Sequence, residues 1–170
     1  KFILRDHQRV RIDAFLNPGD PSYEGNFQVI QSMTAIGSGG FFGKGLFNGT
    51  ISQYGFLPVT ESDFIFAVLG EEFGFVGMAV VIILFFLFLS RIYSISKHAK
   101  DFYGTLVTTG FMGMLFYQIL QNIGMTIGLM PVTGVTLPFV SYGGSSMLTT
   151  MMIIALIMNI YSKSHSSFAY

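Results

Sequence analysis

The sequence contains no cysteine and no tryptophan, and only 11% of its 170 residues are charged. The absence of cysteine excludes a disulfide framework and a thiolate metal site. A soluble domain usually carries about a quarter charged residues. The low charge, with 51% hydrophobic residues, therefore indicates that membrane lipids are the solvent. The formal net charge is zero, so nothing attracts nucleic acid and we expect no such partner.

Long apolar stretches follow a polar, glycine-rich first third of the chain. A transmembrane helix needs about 20 apolar residues, and residues 64–89, 102–127 and 146–161 meet or approach that length. We therefore predict an all-α integral membrane chain. Region 63–170 would hold about three transmembrane helices, and region 1–62 would be a large extracytoplasmic loop with short helices and a glycine-rich segment. Because the chain opens without an initiator methionine, we expect further spans upstream.

The distribution of basic residues predicts the orientation in the membrane. Segment 90–101 carries two lysines, an arginine and a histidine, whereas segment 129–145 carries no charge. Short basic loops generally lie in the cytoplasm. We therefore predict that residues 90–101 and the C-terminus are cytoplasmic, and that residues 1–62 and 129–145 are extracytoplasmic.

Three acidic residues lie at or inside the first apolar stretch. Asp63 directly precedes it, and two compatible interpretations follow: a helix N-cap, or a carboxylate at the membrane boundary that accepts a proton from a hydroxyl group. On an α-helix Glu71 would lie about 80° around the axis from Asp63, so we expect both to border one cavity. Glu72 would face the opposite side, where an ion pair with another helix is expected.

The glycine-rich run 36–45 leaves two interpretations open. Its backbone amides could cradle a diphosphate, with Lys44 as a point charge. The nucleotide-binding pattern fails, because Ser38 stands where glycine is needed and Gly45 where serine or threonine is needed. The alternative is a tight turn packed against helices.

The second apolar stretch contains a polar stripe, and an unusual loop follows it. Gln118, Gln121 and Asn122 recur at helical spacing, which predicts either interhelical hydrogen bonds or the lining of a channel for a lipid headgroup. Segment 129–145 is long, uncharged and rich in proline and glycine. Such backbone at membrane depth persists only when it is buried in protein or lines a cavity, so we predict a re-entrant element.

These motifs together resemble the SEDS family (shape, elongation, division and sporulation), and its RodA branch more than FtsW. The most specific strings are DFIFAVLGEEFG and LPFVSYGGSS, and the resemblance covers nearly the whole chain in order. The matching segments are 7–11, 17–18, 31–32, 36–45, 63–74, 122–125, 131–134 and 137–146.

The resemblance implies a ten-helix protein of the bacterial cytoplasmic membrane, of which this chain would hold roughly the last three helices. It implies a peptidoglycan glycosyltransferase that polymerises lipid II during cell-wall elongation and shape control. It also implies a class B penicillin-binding protein and the elongation or division machinery as partners, and places the essential carboxylate at Asp63. The chain departs from the family at Glu61 and Ser62, where histidine and threonine are usual; Ser62 keeps the hydroxyl, and Glu61 adds a carboxylate.

The implied chemistry is attack by a sugar hydroxyl on an anomeric carbon that bears a polyprenyl diphosphate. A base must take the proton, and cationic groups must stabilise the leaving diphosphate. We predict Asp63 as the base, and a divalent cation, Mg or Mn, as an aid, although the sequence predicts no closed metal site. The predicted substrate-binding residues are Arg9, Arg11, Lys44, Glu71, Gln118, Asn122, Ser141 and Ser145. The alternatives are a lipid-precursor flippase or transporter, and a non-catalytic scaffold of the cell-wall machinery.

Overall fold

The fold in the described part of the chain is helical throughout. The computed structural model describes residues 6–17, 23–50 and 62–165. Across these ranges it contains helices α1 (Asp6–Leu16), α2 (Glu24–Gly39), α3 (Ile65–Lys97), α4 (Phe102–Thr126) and α5 (Gly144–His165). The all-α prediction is confirmed for this part of the chain.

Helix α3 is sharply bent at Gly74. This residue has φ 67° and ψ −163°, a backbone conformation that glycine adopts without steric cost. The bend divides α3 into residues 65–73, here called the fold-back helix, and residues 75–97, the long arm. Phe66 and Phe85 belong to one buried cluster, although a straight helix would separate them by about 28 Å. The fold-back helix therefore returns alongside the long arm.

The bend corrects the first predicted span. Residues 64–89 are not one straight crossing, because the helix breaks at Gly74 and continues to Lys97. The long arm alone measures about 35 Å, enough to cross a hydrocarbon core of about 30 Å. Most of the predicted basic loop 90–101 is consequently helical. Lys97 folds its ammonium over the Tyr93 ring, at 4.8 Å from the ring centre, and both side chains remain exposed.

Three helices pack around a buried apolar cluster at the end of the long arm. Ile92 and Ile95 of α3 meet Leu115 of α4 and Ile153 and Ile157 of α5. In a lipid solvent these side chains stabilise the bundle through van der Waals packing between the helices. This contact sets α4 and α5 beside the long arm, so the loop between α4 and α5 reaches the fold-back helix.

Two of the described helices are long and apolar enough to cross a membrane by length and composition: Ile65–Lys97 and Gly144–Ser164. The second and third predicted stretches agree with α4 and α5 to within a few residues. Helix α4 has 25 residues, about 37 Å, but its polar stripe lowers its hydropathy. The membrane crossing by α4 therefore stays a prediction.

Candidate functional site

The start of α3 holds Asp63 in a turn rather than at a helix cap. Phe64 occupies the N-cap position, and no side chain caps the helix there. The N-cap interpretation of Asp63 is therefore wrong. Phe64 is 1% exposed and packs with Ala35 of α2 and Ala67 of α3. This buried ring anchors the turn and leaves the preceding carboxylate unused by the helix.

Two buried side chains from outside α3 bind the backbone of this turn. Asn122 of α4 is 0% exposed, and its Nδ2 donates to the carbonyl oxygens of Asp63, at 2.9 Å, and Val135, at 2.7 Å. The Ser141 hydroxyl donates to the Ser62 carbonyl oxygen at 2.5 Å and accepts from the Leu137 amide at 2.7 Å. Both therefore join the turn to residues 127–143, here called the Pro/Gly loop.

The two carboxylate oxygens of Asp63 have different surroundings. Oδ1 accepts a hydrogen bond from the Ser62 hydroxyl at 3.0 Å. Oδ2 lies beside Gly134, where an added Cβ would stand 3.2 Å from it. Within the described ranges no donor binds Oδ2, and the side chain is half-buried. One oxygen of Asp63 is thus available to a hydroxyl group. Glu61, the other departure from the family, lies outside the described residues.

Glu71 lies near the other end of the fold-back helix and has its own cation. Its side chain is 0% exposed and binds Lys44 Nζ at 2.8 Å, while the Lys44 side chain is 28% exposed. The Thr50 hydroxyl also contacts both groups. Among the described residues Glu71 is completely buried and ion-paired, whereas Asp63 is half-buried, so a cavity shared by the two stays a prediction. Glu72 accepts the Phe47 amide at 3.1 Å, and the ion pair expected for it with a helix outside this chain stays a prediction.

The glycine-rich run supplies hydrogen-bond partners for the backbone groups at the break in α3. An unbroken helix would bond the amides of Phe75 and Val76 to the carbonyl oxygens of Glu71 and Glu72. Residues 40–45, here called the strap, instead supply all four partners. The carbonyls accept the amides of Lys44 and Gly45, each at 3.0 Å, and the amides of Phe75 and Val76 donate to the carbonyls of Gly40 and Phe41.

The strap decides between the two interpretations of the glycine-rich run. The amides of Lys44 and Gly45 are bound to α3, and the amide of Gly43 is bound to the carbonyl of Gly39 at 2.8 Å. They cannot also cradle a diphosphate in this arrangement. The packed turn is therefore the interpretation that the geometry matches.

The polar stripe of α4 serves two separate purposes. Gln121 donates to the carbonyl oxygen of Pro131 at 3.0 Å, and Asn122 binds the turn, so both secure backbone carbonyls. Gln118 instead lines an open cavity of about 380 Å³, together with Ser145 at the start of α5. The remaining lining residues are uncharged: Met114, Thr136, Ser146, Thr149, Thr150 and Ile153.

The arginines of α1 lie on another side of the Pro/Gly loop. Arg11 lines a small cavity of about 110 Å³ between α1, α2 and the loop. Val132 lines the same cavity and also packs against the cluster that contains Phe64. Arg11 therefore borders a cavity that Val132 separates from the Phe64 cluster beside Asp63, whereas Lys44 belongs to the opposite end of the fold-back helix. Arg9, two residues earlier and on nearly the opposite face of α1, is half-buried.

The described residues include no group of three acidic or histidine side chains that could hold a metal ion. The described side chains near Asp63 are amides and hydroxyls, and these alone do not form a complete cation site. Reasoning from the sequence did not single out Gly134. Its position in a proline- and glycine-rich loop was the signal, but its contact with Asp63 depends on the tertiary fold.

Comparison with known proteins identifies the family. Residues 1–166 match the model of the FtsW, RodA and SpoVE cell cycle proteins, and the chain belongs to this family. It is 45% identical to peptidoglycan glycosyltransferase RodA of Treponema pallidum over 95% of this chain and 37% of that protein. It is 43% identical to stage V sporulation protein E of Bacillus subtilis over 90% of this chain and 42% of that protein.

A solved structure is similar as well. A chain of a peptidoglycan synthase complex, described as coordinating polymerization and crosslinking, superposes with a TM-score of 0.76. That chain is 34% identical over 95% of this chain and 44% of its own length. The present chain thus spans about two fifths of the length of the relatives it matches. Family and apolar helices together make it an integral membrane chain.

Proposed function

We propose that this chain is part of a membrane-bound peptidoglycan glycosyltransferase that polymerises lipid II into glycan strands. The observation that carries the proposal is the Asp63 carboxylate, whose backbone is fixed by Asn122 and whose Oδ2 has no donor among the described residues. The name and 45% identity of the Treponema pallidum relative support the reaction. Because the chain spans two fifths of its relatives, we propose that it supplies roughly the last three helices of a ten-helix protein.

Asp63 acts as the general base in this proposal. The oxygen of an acceptor sugar hydroxyl attacks the anomeric carbon of the donor, and the bond from that carbon to the diphosphate oxygen breaks. Oδ2 of Asp63 takes the hydroxyl proton, and the polyprenyl diphosphate departs with the bonding electrons. A single displacement inverts the anomeric centre. A positioned base of this kind contributes about 10²- to 10⁴-fold to the rate.

Arg9 and Arg11 are the proposed diphosphate contacts. Arg11 lines the same cavity as Val132, which packs against the Phe64 cluster beside Asp63, and guanidinium groups bind phosphate oxygens in a bidentate manner. Lys44 was predicted for the same task, but its charge is balanced by Glu71, which makes it the weaker candidate. The uncharged cavity that contains Gln118 and Ser145 suits sugar hydroxyls and amides. The participation of Mg or Mn stays a prediction.

We further propose an orientation and a partner. Residues 1–62 and 129–145 would face the extracytoplasmic side of the bacterial cytoplasmic membrane, with residues 90–101 and the C-terminus in the cytoplasm. The exposed Arg91 and Lys97 at the end of the long arm suit the cytoplasmic headgroups. A class B penicillin-binding protein would cross-link the product during cell-wall elongation, in keeping with the complex to which a solved relative belongs.

Labelled lipid II tests the proposal with purified full-length protein in detergent. We expect polymer from the unmodified protein, and polymerisation slower by about 10²-fold or more in Asp63→Asn, although that variant still binds lipid II. Normal polymerisation by Asp63→Asn would contradict the assignment of the base. Movement of lipid II across liposomes without polymer would favour a flippase, and neither activity would favour a scaffold. Gln121 and Asn122 bind backbone carbonyls. These two amides therefore do not line the polar channel that a flippase would need.

A further inference from the structure

Asn122 contains a buried amide group that the proposed chemistry does not use. Its single NH₂ group binds two carbonyl oxygens from separate segments, Asp63 at the start of α3 and Val135 in the Pro/Gly loop. A buried carbonyl oxygen without a partner is costly, so each bond matters for the fold. The two bonds also fix the separation of the two backbones. Asn122 thus determines how the loop stands relative to the Asp63 turn.

Gly134 occupies the place in the loop where that separation matters. It is the neighbour of Val135, so the Asn122 bond fixes its position to within one peptide unit. An added Cβ at Gly134 would stand 3.2 Å from Oδ2 of Asp63, which is its single described contact within 4 Å once chain neighbours are left out. The backbone φ of 68° also favours glycine. The missing side chain leaves space beside the unpaired oxygen.

We propose that Asn122 and Gly134 are positioning residues for Asp63. Asn122 holds the Pro/Gly loop at a fixed distance from the Asp63 turn, and Gly134 keeps the approach to Oδ2 open for the acceptor sugar hydroxyl. Oδ1, bound by Ser62, orients the carboxylate, and Oδ2 receives the proton. This inference rests on the proposed function and specifies which atoms of its site perform the proton transfer.

The first test compares Gly134→Ala with Gly40→Ala in the full-length protein, with labelled lipid II as substrate. Both glycines have positive φ, but an added Cβ at Gly40 meets no described heavy atom within 4 Å. Misplacement of reacting groups by about 1 Å costs up to about 10²-fold in rate. We expect Gly134→Ala to lower kcat by about tenfold to a hundredfold with KM unchanged. Gly40→Ala should lower thermal stability and keep kcat.

The second test compares Asn122→Leu with Gln121→Leu. Both remove a buried amide from adjacent positions of α4, but the hydrogen bond described for Gln121 goes to the Pro131 carbonyl and not to the Asp63 backbone. The rate is measured per folded molecule, with the folded fraction counted by size-exclusion chromatography. We expect Asn122→Leu to lose about tenfold or more in kcat, and Gln121→Leu to lose stability alone. If Asn122→Leu does not fold, the Gly134 comparison decides the outcome.

Three results would overturn the inference. One is an unchanged kcat in Gly134→Ala, and another is an equal loss of kcat in Gly40→Ala, which would indicate backbone strain alone. The third is an unchanged kcat per folded molecule in Asn122→Leu. In each case polymer from the unmodified protein would leave the proposed function intact. If the unmodified protein makes no polymer, the proposed function and this inference fall together.

Discussion

The two ends of the fold-back helix are held by different kinds of interaction. At the Gly74 end, the strap pairs its backbone with the broken turn of α3, and Lys44 neutralises the buried Glu71. At the Asp63 end, side chains of Asn122 and Ser141 bind the backbone, while the carboxylate of Asp63 keeps one oxygen unpaired. One end satisfies the groups freed by the bend, and the other keeps a reactive group available.

This difference separates a structural carboxylate from a functional one. An ionised side chain within an apolar helix needs a partner, and Glu71 has one in Lys44. Asp63 is fixed through its main chain, so its side chain is positioned without being neutralised. Position in the sequence alone would treat both residues as acids near the start of a membrane helix. Their hydrogen-bond partners distinguish them, and each prediction below tests one part of that contrast.

The largest expected loss of stability comes from Gly43→Ala, which disturbs the packing of the strap against α3. An added Cβ there would stand 2.1 Å from the Glu72 carbonyl oxygen, and the residue has φ 78°. Overpacking and positive φ together should lower the free energy of unfolding by about 4 kcal/mol, measured by denaturation in mixed micelles. Gly37→Ala is the control, because Gly37 lies inside α2 with open space around it; it should stabilise the protein by up to about 1 kcal/mol. Equal effects would refute the role of the strap.

The next effect concerns the Lys44–Glu71 ion pair, whose partners should respond unequally. Lys44→Met removes the cation that lies 2.8 Å from the fully buried Glu71 carboxylate, which should cost about 3 kcal/mol of unfolding free energy. Glu71→Gln should cost less, because the partly exposed Lys44 ammonium can reach water and the amide oxygen still accepts. The double variant Lys44→Met/Glu71→Gln should lose less unfolding free energy than the two single variants added together. The reverse order, seen in thermal melts, would contradict the assignment of Glu71 as the buried member.

A smaller effect is expected for the hydroxyl bridge of Ser141. Ser141→Ala leaves the Leu137 amide and the Ser62 carbonyl without partners, at a cost of about 2 kcal/mol. Thr149→Ala is a matched control, because that exposed hydroxyl binds only the carbonyl of Ser145 in its own helix; its melting temperature should hardly change. If both variants melt together with the unmodified protein, the bridge does not hold the Asp63 turn.

Local patterns allowed much of this arrangement to be predicted. The apolar runs predicted α4 and α5. The position of Asp63 ahead of an apolar run left a cap and a base open, and the family resemblance made it the candidate functional acid. The i, i+3 and i+4 spacing of Gln118, Gln121 and Asn122 predicted that they form one polar stripe on a helix. Each of these signals is contained in a few neighbouring residues, so it survives without knowledge of the tertiary structure.

The bend at Gly74 could not be predicted in the same way. Residues 63–74 are compatible with a continuous helix, and one glycine inside a helix is tolerated. The break is stable because the strap, about thirty residues upstream, replaces the two lost hydrogen bonds. The partners of Asn122 and the contact of Gly134 with Asp63 likewise join segments distant in sequence. Such long-range pairings leave no periodic signal in the chain.

The most direct test of the proposed role of Asp63 as the base is the rate of lipid II polymerisation by Asp63→Asn, with Glu72→Gln as the control. Each variant changes a carboxylate to an amide, and in Glu72→Gln the new amide oxygen can still accept the Phe47 amide hydrogen bond. We predict that Asp63→Asn loses about 10²-fold or more in kcat with an unchanged melting temperature, while Glu72→Gln polymerises normally. Normal polymerisation by Asp63→Asn would contradict the account.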